Sequence, residues 1–496
     1  MSQHRQRAAH TDKEKNNHTA ARTTRAAFCS AQRSQIGVIM NRKELIKNYI
    51  MSKRDEMIGD LAELVKIPSV MSEPTEGCPF GENNVKALKK AEELCKKYGF
   101  FTKNCDNYAV SADLFDNSEK HLGILCHLDV VPEGNGWTKP PFELTAEDGM
   151  LFGRGAIDDK GPAIAALYAM RCVKELGLPI EKNVRLILGS NEENGSADME
   201  YYQKKESFPP LLFTPDGSYP LINIEKGMMR IKLSHKCSGK IVSISGGTMV
   251  NAVPEAAKAQ VKIPASELRK AAEKLPPEVR FDITEENGIS NISAHGKSAH
   301  ASTPELGVNA LTALFGLLAE CDVDEAKAFK KLFPFGETDG SGCGIKCSDS
   351  ESGAATTVLS MAEISGESLV CMQDIRFPVC ESCKGILERL ENAANSVDIS
   401  AEPIMQSEPH HVSAESDFVK TLLGVYESVT GEKGEPIAIG GGTYVHETEN
   451  GVAFGAEFPG DENNMHGADE FIKEESLLLN AEIYANAISA LCGKEE

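Results

Sequence analysis

The chain has 496 residues, a formal net charge of −22 and 14 cysteines. At roughly 100–200 residues per domain, this length calls for two or three domains. The charge argues against a nucleic-acid backbone as main partner, because phosphates are met by Lys and Arg. No run reaches the ~18–20 apolar residues that cross a bilayer, so no membrane partner is expected.

The first segment is unlike the rest. Over residues 1–40, seven basic residues against two acidic ones give +5, which leaves −27 for the remainder. The stretch is rich in Gln, Asn, Thr, Ser and Ala and has no sustained apolar period, so 1–39 reads as a disordered basic extension. It lacks the apolar core of a secretory leader. Its Arg-rich composition superficially resembles an organelle transit peptide, against which its acids and weak amphipathicity count. Met40 is an alternative start, because a helical pattern opens there.

Apolar residues recur at helical spacing from Arg42 to Val65, and a second helix is predicted over 84–98. The dense apolar run 121–131 predicts a buried strand, as do 183–190 and 211–217, with a helix over 158–177 between them. Alternating strands and helices predict an α/β architecture with a mostly parallel central sheet flanked by helices. From 226 to 405 the strands are shorter and alternate, and helices are predicted over 266–274, 308–321 and 383–395. This predicts an inserted α+β domain. Helices over 416–428 and 474–492 and a strand over 452–455 then return to the first architecture. The expected organisation is 40–225 and 406–496 as one split domain, with 226–405 between its parts. Cys95, Cys126 and Cys371 sit within apolar stretches, so most thiols read as buried and reduced, in the cytoplasm.

Polar residues cluster where the predicted strands end, and ligands sit at such ends in α/β sheets. His127 and Asp129 lie two apart, on one side of the chain. A His with an orienting Asp is a metal-site arrangement, although a buried structural pair explains it equally well. Asp158 and Asp159 stand at a helix start, where capping is the plain alternative. Glu192 and Glu193 follow a buried strand, and adjacent carboxylates there need cations or donors unless the loop is solvated. Asp216 sits in a turn sequence, and His466 in a late polar loop. Together these are nitrogen and oxygen donors that suit borderline divalent cations, zinc first and cobalt or manganese next.

The motifs HLDVVPEG and GRGAIDDKGP within 127–162, GSNEENG (189–195) and FTPDG (213–217) resemble the zinc peptidases that include carboxypeptidase G, aminoacylase and the desuccinylases. The likeness is nearest to cytosolic dipeptidases of the dipeptidase V type. NAVPE (251–255), HGKSAHASTPELGVNA (295–310), DIRFPV (374–379), the glycine-rich segment 440–460 and MHGADEFI (465–472) are also similar to that group. The resemblance implies a catalytic domain, 40–225 plus 406–496, with a lid, 226–405. It implies two zinc ions per chain, with cobalt or manganese as substitutes, held by His127, Asp158, Glu193, Asp216 and His466. It implies Asp129 as the residue orienting His127, Glu192 as general base and His300 as oxyanion donor. Asn251 and Arg376 would contact substrate, Arg376 at a free carboxylate. The implied activity is hydrolysis of dipeptides by a monomer whose own lid supplies His300. An amidase of N-acyl amino acids and a non-catalytic metal- or peptide-binding protein are the rival readings. His446 receives no role. Cys343, Cys347, Cys380 and Cys383 have a spacing tolerable for a structural zinc, although Cys380 and Cys383 lie at a helix start.

Overall fold

A computed structural model of the chain describes residues 41–117 and 119–494. The expectations for 1–39 and for a start at Met40 lie outside these described residues. At the beginning of the described chain, the Asn41 side chain accepts the Glu44 N–H (3.0 Å) and caps helix Arg42–Ser52. The helical pattern read over 42–65 parts at Lys53, and a second helix covers Arg54–Val65.

The first large sheet begins with β1 (Phe101–Cys105), β2 (Ala109–Asp113), β3 (Leu122–His127), β4 (Val184–Gly189), β5 (Leu211–Thr214) and β6 (Leu221–Glu225). Every residue of β3 and β4 is buried, as their continuous apolar sequences require of strands covered on both faces. Helix Lys160–Leu176 buries every residue from Lys160 to Val173. It packs against β3 together with the last helix, Glu474–Cys492.

The chain then leaves this sheet between Glu225 and Gly227. A second sheet follows, built from β7 (Gly227–Lys236), β8 (Ile241–Gly246), β9 (Ala256–Val261), β10 (Arg280–Glu286), β11 (Ile289–His295), β12 (Thr356–Ser365), β13 (Ser368–Phe377) and β14 (Ser400–Ser407). Its order is β10-β11-β9-β8-β12-β13-β7-β14, and every pairing is antiparallel. Alternate residues of β7, Met229, Ile231 and Leu233, share one apolar core with Leu311, Leu314, Phe315 and Leu318 of helix Ala310–Glu320 and with Phe329 of helix Asp324–Leu332. The expected α+β insertion is therefore an antiparallel sheet with helices packed on its core face.

The chain returns to the first sheet as β15 (His410–His411), β16 (Pro436–Ile439) and β17 (Gly451–Ala453). The first sheet runs β1-β2-β4-β3-β5-β17-β6-β15, with β16 also paired to β6. Its parallel character is central: β4, β3, β5 and β17 are parallel neighbours, while β1 and β2 on one flank and β15 on the other pair antiparallel. Parallel pairing places His127 beside Gly189, so the loops after β3, β4 and β5 emerge along one edge. That edge positions the site. Among the described residues, no helix is long and apolar enough to cross a membrane.

Candidate functional site

His127 closes β3 with its ring wholly buried. Its Nδ1 faces the Asp129 carbonyl oxygen at 3.0 Å, and a carbonyl only accepts, so Nδ1 carries the proton. Nε2 then turns to carboxylates, Asp158 Oδ1 at 2.9 Å and Asp216 Oδ2 at 3.7 Å. The other oxygen of Asp158 lies 2.7 Å from His466 Nε2, which is also 3.2 Å from Glu193 Oε1. One buried carboxylate thus joins two imidazoles. The donor atoms of His127, Asp158 and Asp216 lie within 4.8 Å of one another, and so do those of Asp158, Glu193 and His466. Two groups sharing Asp158 form a candidate two-cation centre.

The electrostatics are those of an acidic cluster short of positive charge. Burial and then the neighbouring Asp158 push the Asp216 carboxyl up to about 7. Burial and then Asp216 hold the Glu192 carboxyl well above its usual range. Burial opposes ionisation of Asp158 too, but hydrogen bonds to His127 and His466 outweigh it and lower its pKa. Hydrogen bonds to Asp158 and Glu193 raise His466 to about 10. Two imidazoles cannot balance Asp158, Asp216, Glu192 and Glu193, whereas divalent cations can. Nitrogen and oxygen donors without thiolate fit zinc, cobalt or manganese.

The supporting shell is built from backbone N–H groups. Asp129 accepts those of Glu192 (3.1 Å) and Glu193 (3.2 Å), one on each oxygen. Asp198 accepts those of Ser190 (2.5 Å) and Asn191 (3.0 Å), and the Tyr444 hydroxyl as well. Four consecutive N–H groups are thereby met by two buried carboxylates, which fixes the turn carrying Glu192 and Glu193. Gly189 must lack a side chain here: a Cβ would sit 2.0 Å from the Tyr444 hydroxyl and 2.5 Å from Asp198 Oδ2. On the opposite side, buried Glu470 pairs with Arg154 and accepts the N–H of Gly155 (2.9 Å), while Arg154 reaches the His466 carbonyl at 3.4 Å. This pair sets the Asp158 loop against the His466 loop. Lys160 is wholly buried and donates to the carbonyls of Leu64 (3.2 Å) and Ile67 (2.7 Å), and burial lowers it to about 7.

The remaining expected residues lie in a second neighbourhood. Arg376, on β13, is buried; it donates Nε and Nη2 to Asp374 (2.6 and 3.0 Å) and Nη1 to the Gly440 carbonyl (2.7 Å). Three of its five N–H groups are so engaged, and the other two meet no partner among the described residues. His300 is exposed, its Nδ1 accepting from the Ser302 N–H (3.2 Å) and lying 2.7 Å from the Ser302 hydroxyl. The proton of the neutral ring therefore sits on Nε2. Burial, followed by the nearby Arg376, lowers the His300 pKa, which keeps it neutral. Asn251 adjoins it through its carbonyl, which accepts the Ala301 N–H at 2.9 Å. Among the described residues, no hydrogen bond joins His300, Arg376 or Asn251 to the acidic cluster directly.

Segment 440–446 links the two neighbourhoods. Gly440 receives Arg376, Thr443 donates to Glu225, and Tyr444 bonds Asp198 and meets the His127 ring edge-on at 6.0 Å. Asp198, Tyr444, Glu225 and the Arg154–Glu470 pair were missed as functional residues. Arg154 and Glu470 stand within the quoted motifs and Glu225 ends the apolar stretch LINIE, a strand-end signal that was not used, but Asp198 carries no local signal. The four cysteines considered for a structural zinc form no candidate metal group among the described residues: buried Cys343 donates to the Leu332 carbonyl (3.1 Å), Cys380 is exposed, and neither candidate group contains a cysteine.

The sequence profile described as Peptidase family M20/M25/M40 matches residues 123–490. The chain is 38% identical over 459 residues to "Putative dipeptidase YtjP" of Bacillus subtilis (strain 168), covering 89% of this chain and 98% of that protein. It is 34% identical over 477 residues to "Beta-Ala-Xaa dipeptidase" of Lactobacillus delbrueckii subsp. lactis, covering 92% and 99%. Its fold is similar to that of human carnosine dipeptidase 1, with a TM-score of 0.57 at 16% identity over 91% of this chain and 99% of that one.

Proposed function

We propose that this chain, a member of peptidase family M20/M25/M40, is a two-metal dipeptidase that cleaves short peptides bearing a free C-terminal carboxylate. The observation that carries the reading is Asp158, whose two oxygens meet His127 and His466 and whose carboxylate belongs to both donor groups. Two divalent cations, with zinc as the proposed metal, would supply Lewis-acid polarisation and acidify the attacking water. His127 and Asp216 would hold one, Glu193 and His466 the other, and Asp158 both.

The protein's own groups then divide the remaining work. Glu192, its carboxyl raised by burial, takes the proton of the attacking water and returns it to the leaving amine. Asp129 keeps the Glu192–Glu193 turn and the His127 ring in place. His300 presents Nε2–H to the developing oxyanion. Arg376 offers its two remaining N–H groups to the substrate carboxylate, and Asn251 adds a lid contact. Such an anchor limits the peptide beyond the scissile bond, which favours dipeptides.

Placement of both neighbourhoods in one chain supports a monomer. The thirteen cysteines among the described residues are all unpaired, which supports a cytoplasmic compartment. The decisive assay sets a panel of dipeptides against N-acetyl amino acids, with zinc, cobalt or manganese added and metal counted on the same sample. Turnover of dipeptides is expected. Turnover of N-acetyl amino acids alone favours an amidase, and binding without turnover favours a non-catalytic protein.

A further inference from the structure

His446 lies where the chain passes between its two sheets. The outgoing connection starts at Glu225, the last residue of β6, and the returning one runs from Ser407 to His410. His446 Nδ1 is 2.8 Å from Glu225 Oε2, and its Nε2 is 2.9 Å from the Glu408 carbonyl oxygen. One ring therefore touches both connections. Both partners only accept, and a neutral imidazole donates from a single nitrogen, so both contacts require the imidazolium.

The partners are themselves committed. Glu225 is buried, and its carboxylate also takes the Thr443 N–H (3.2 Å) and hydroxyl (2.7 Å). The Glu408 carboxylate takes the N–H of Cys383 (3.0 Å), at the start of a helix of the second sheet. Lys226, between the two sheets, donates its N–H to the Ile439 carbonyl (2.9 Å). Through Thr443 the same contacts set the segment whose Gly440 carbonyl receives Arg376.

We propose that His446, as an imidazolium, is a positioning residue that pins the two inter-sheet connections together and thereby sets Arg376 and the second sheet over the acidic cluster. Two charge-assisted hydrogen bonds hold the connections when the ring is protonated, and one is lost when it is not. The groups facing the ring are Glu225 from β6, Glu447 beside it in the chain, the Glu408 carbonyl, and His410 at 6.3 Å between ring centroids. Burial opposes protonation, but the Glu225 hydrogen bond and charge outweigh it and raise the His446 pKa. A raised pKa makes the clamp complete below the ordinary histidine value of about 6.5 and loses it as the pH climbs through the raised value.

Two measurements on the full chain test this. Small-angle scattering of the metal-free protein reads the clamp without reference to any reaction. Wild type is expected to expand as the pH rises from about 6 to about 9, H446Q to be expanded throughout, and H446R, which keeps the charge and both donors, to stay compact. A pH-independent envelope in wild type, or an H446Q envelope equal to wild type at the lower pH, overturns the proposal. Kinetics with a dipeptide and zinc rest on the proposed function, and in H446Q the KM is expected to rise roughly tenfold, as one charged hydrogen bond is worth, with a smaller change in kcat and with recovery in H446R. A KM in H446Q equal to wild type across the pH range also overturns it. Failure of all hydrolysis with the scattering response intact would reject the dipeptidase reading and leave the clamp standing.

Discussion

Asp374 holds the guanidinium of Arg376 from two residues upstream on the same strand, at 2.6 Å to Nε and 3.0 Å to Nη2. Residues two apart on a strand share a face, so this grip is built into β13. It fixes the plane of the guanidinium and directs the remaining N–H groups. Asp374→Asn keeps the shape and removes the charge, leaving a buried cation without its partner. We expect KM for dipeptides to rise about 10- to 100-fold, as loss of a charged hydrogen bond implies, with kcat changing less. Steady-state kinetics decide this, and a fall in kcat at unchanged KM would count against Arg376 as the carboxylate anchor.

Glu192 contributes its backbone N–H to Asp129 but stands in neither candidate metal group. Glu192→Gln should therefore keep its full metal content. Hydrolysis should fall by roughly 10²–10⁴, the contribution of a positioned acid–base group. Elemental analysis and a turnover assay on one preparation test both halves. Near-normal turnover removes Glu192 from the role of base.

The acidic cluster makes the metal-free protein sensitive to pH. Asp216 rises to about 7 and His466 to about 10, so each binds more protons when folded than when unfolded. The Asp216 contribution is complete below its ordinary value of about 3.9 and is lost as the pH passes about 7. That of His466 is complete below about 6.5 and lost toward about 10. Asp158, lowered, has the opposite sign, and its contribution is lost only as the pH falls below the ordinary carboxylate value. Across the neutral range, metal-free stability is expected to decline with rising pH. Added zinc should raise the melting temperature more at about pH 8 than at about pH 5. An equal gain at both values in thermal unfolding would show that cations do not replace protons in this cluster.

Gly440 is pressed against the second sheet's loop, and an added Cβ would lie 2.6 Å from the Ser302 Cβ. Gly440→Ala should push apart the segment that receives Arg376 and the loop that carries His300. The expected result is a fall in kcat/KM of about tenfold or more, the scale of overpacking by one methyl. Adding Ser302→Gly removes the obstructing Cβ and should restore part of the loss, since the residue 302 N–H can still donate to His300. Identical kinetics in the single and double variants would place the effect elsewhere.

Much of the fold was legible because burial leaves a local trace. The dense apolar runs that became β3 and β4 could be read directly, as could the last helix, Glu474–Cys492, and β7 with its alternating Met229, Ile231 and Leu233. β10 was missed because RFDITEE is largely exposed and its apolar alternation stops after two residues, Phe281 and Ile283, which are only half-buried. β1 was missed for the same reason, since only Cys105 of its five residues is buried. Helix Asp324–Leu332 is short and half-charged, and its apolar residues are recognisable as core only beside Phe315. The candidate ligands could be singled out because polar residues at the ends of buried strands conflict with their surroundings. Asp198, inside a short polar helix, creates no such conflict, whereas Glu225 ends the buried strand β6 and was passed over because that strand was not singled out in the sequence.

The sequence by itself therefore determined that β3, β4 and β5 are buried strands and which carboxylates and imidazoles follow them, because a dense apolar run and the polar residues at its end are local, although the equally buried β2 and β6 escaped it. Only the tertiary structure decided which of them meet. Glu193 and His466 are 273 positions apart, Thr443 and Glu225 are 218 apart, and Arg376 and Gly440 are 64 apart. No periodicity of the chain encodes such distances. They follow from the parallel register that aligns the strand ends and from the two connections through which the second sheet leaves and returns. His446 is the plainest case. In the sequence it is a histidine without a role, and between Glu225 and the Glu408 carbonyl its charge state and its task are set by having an acceptor on each side.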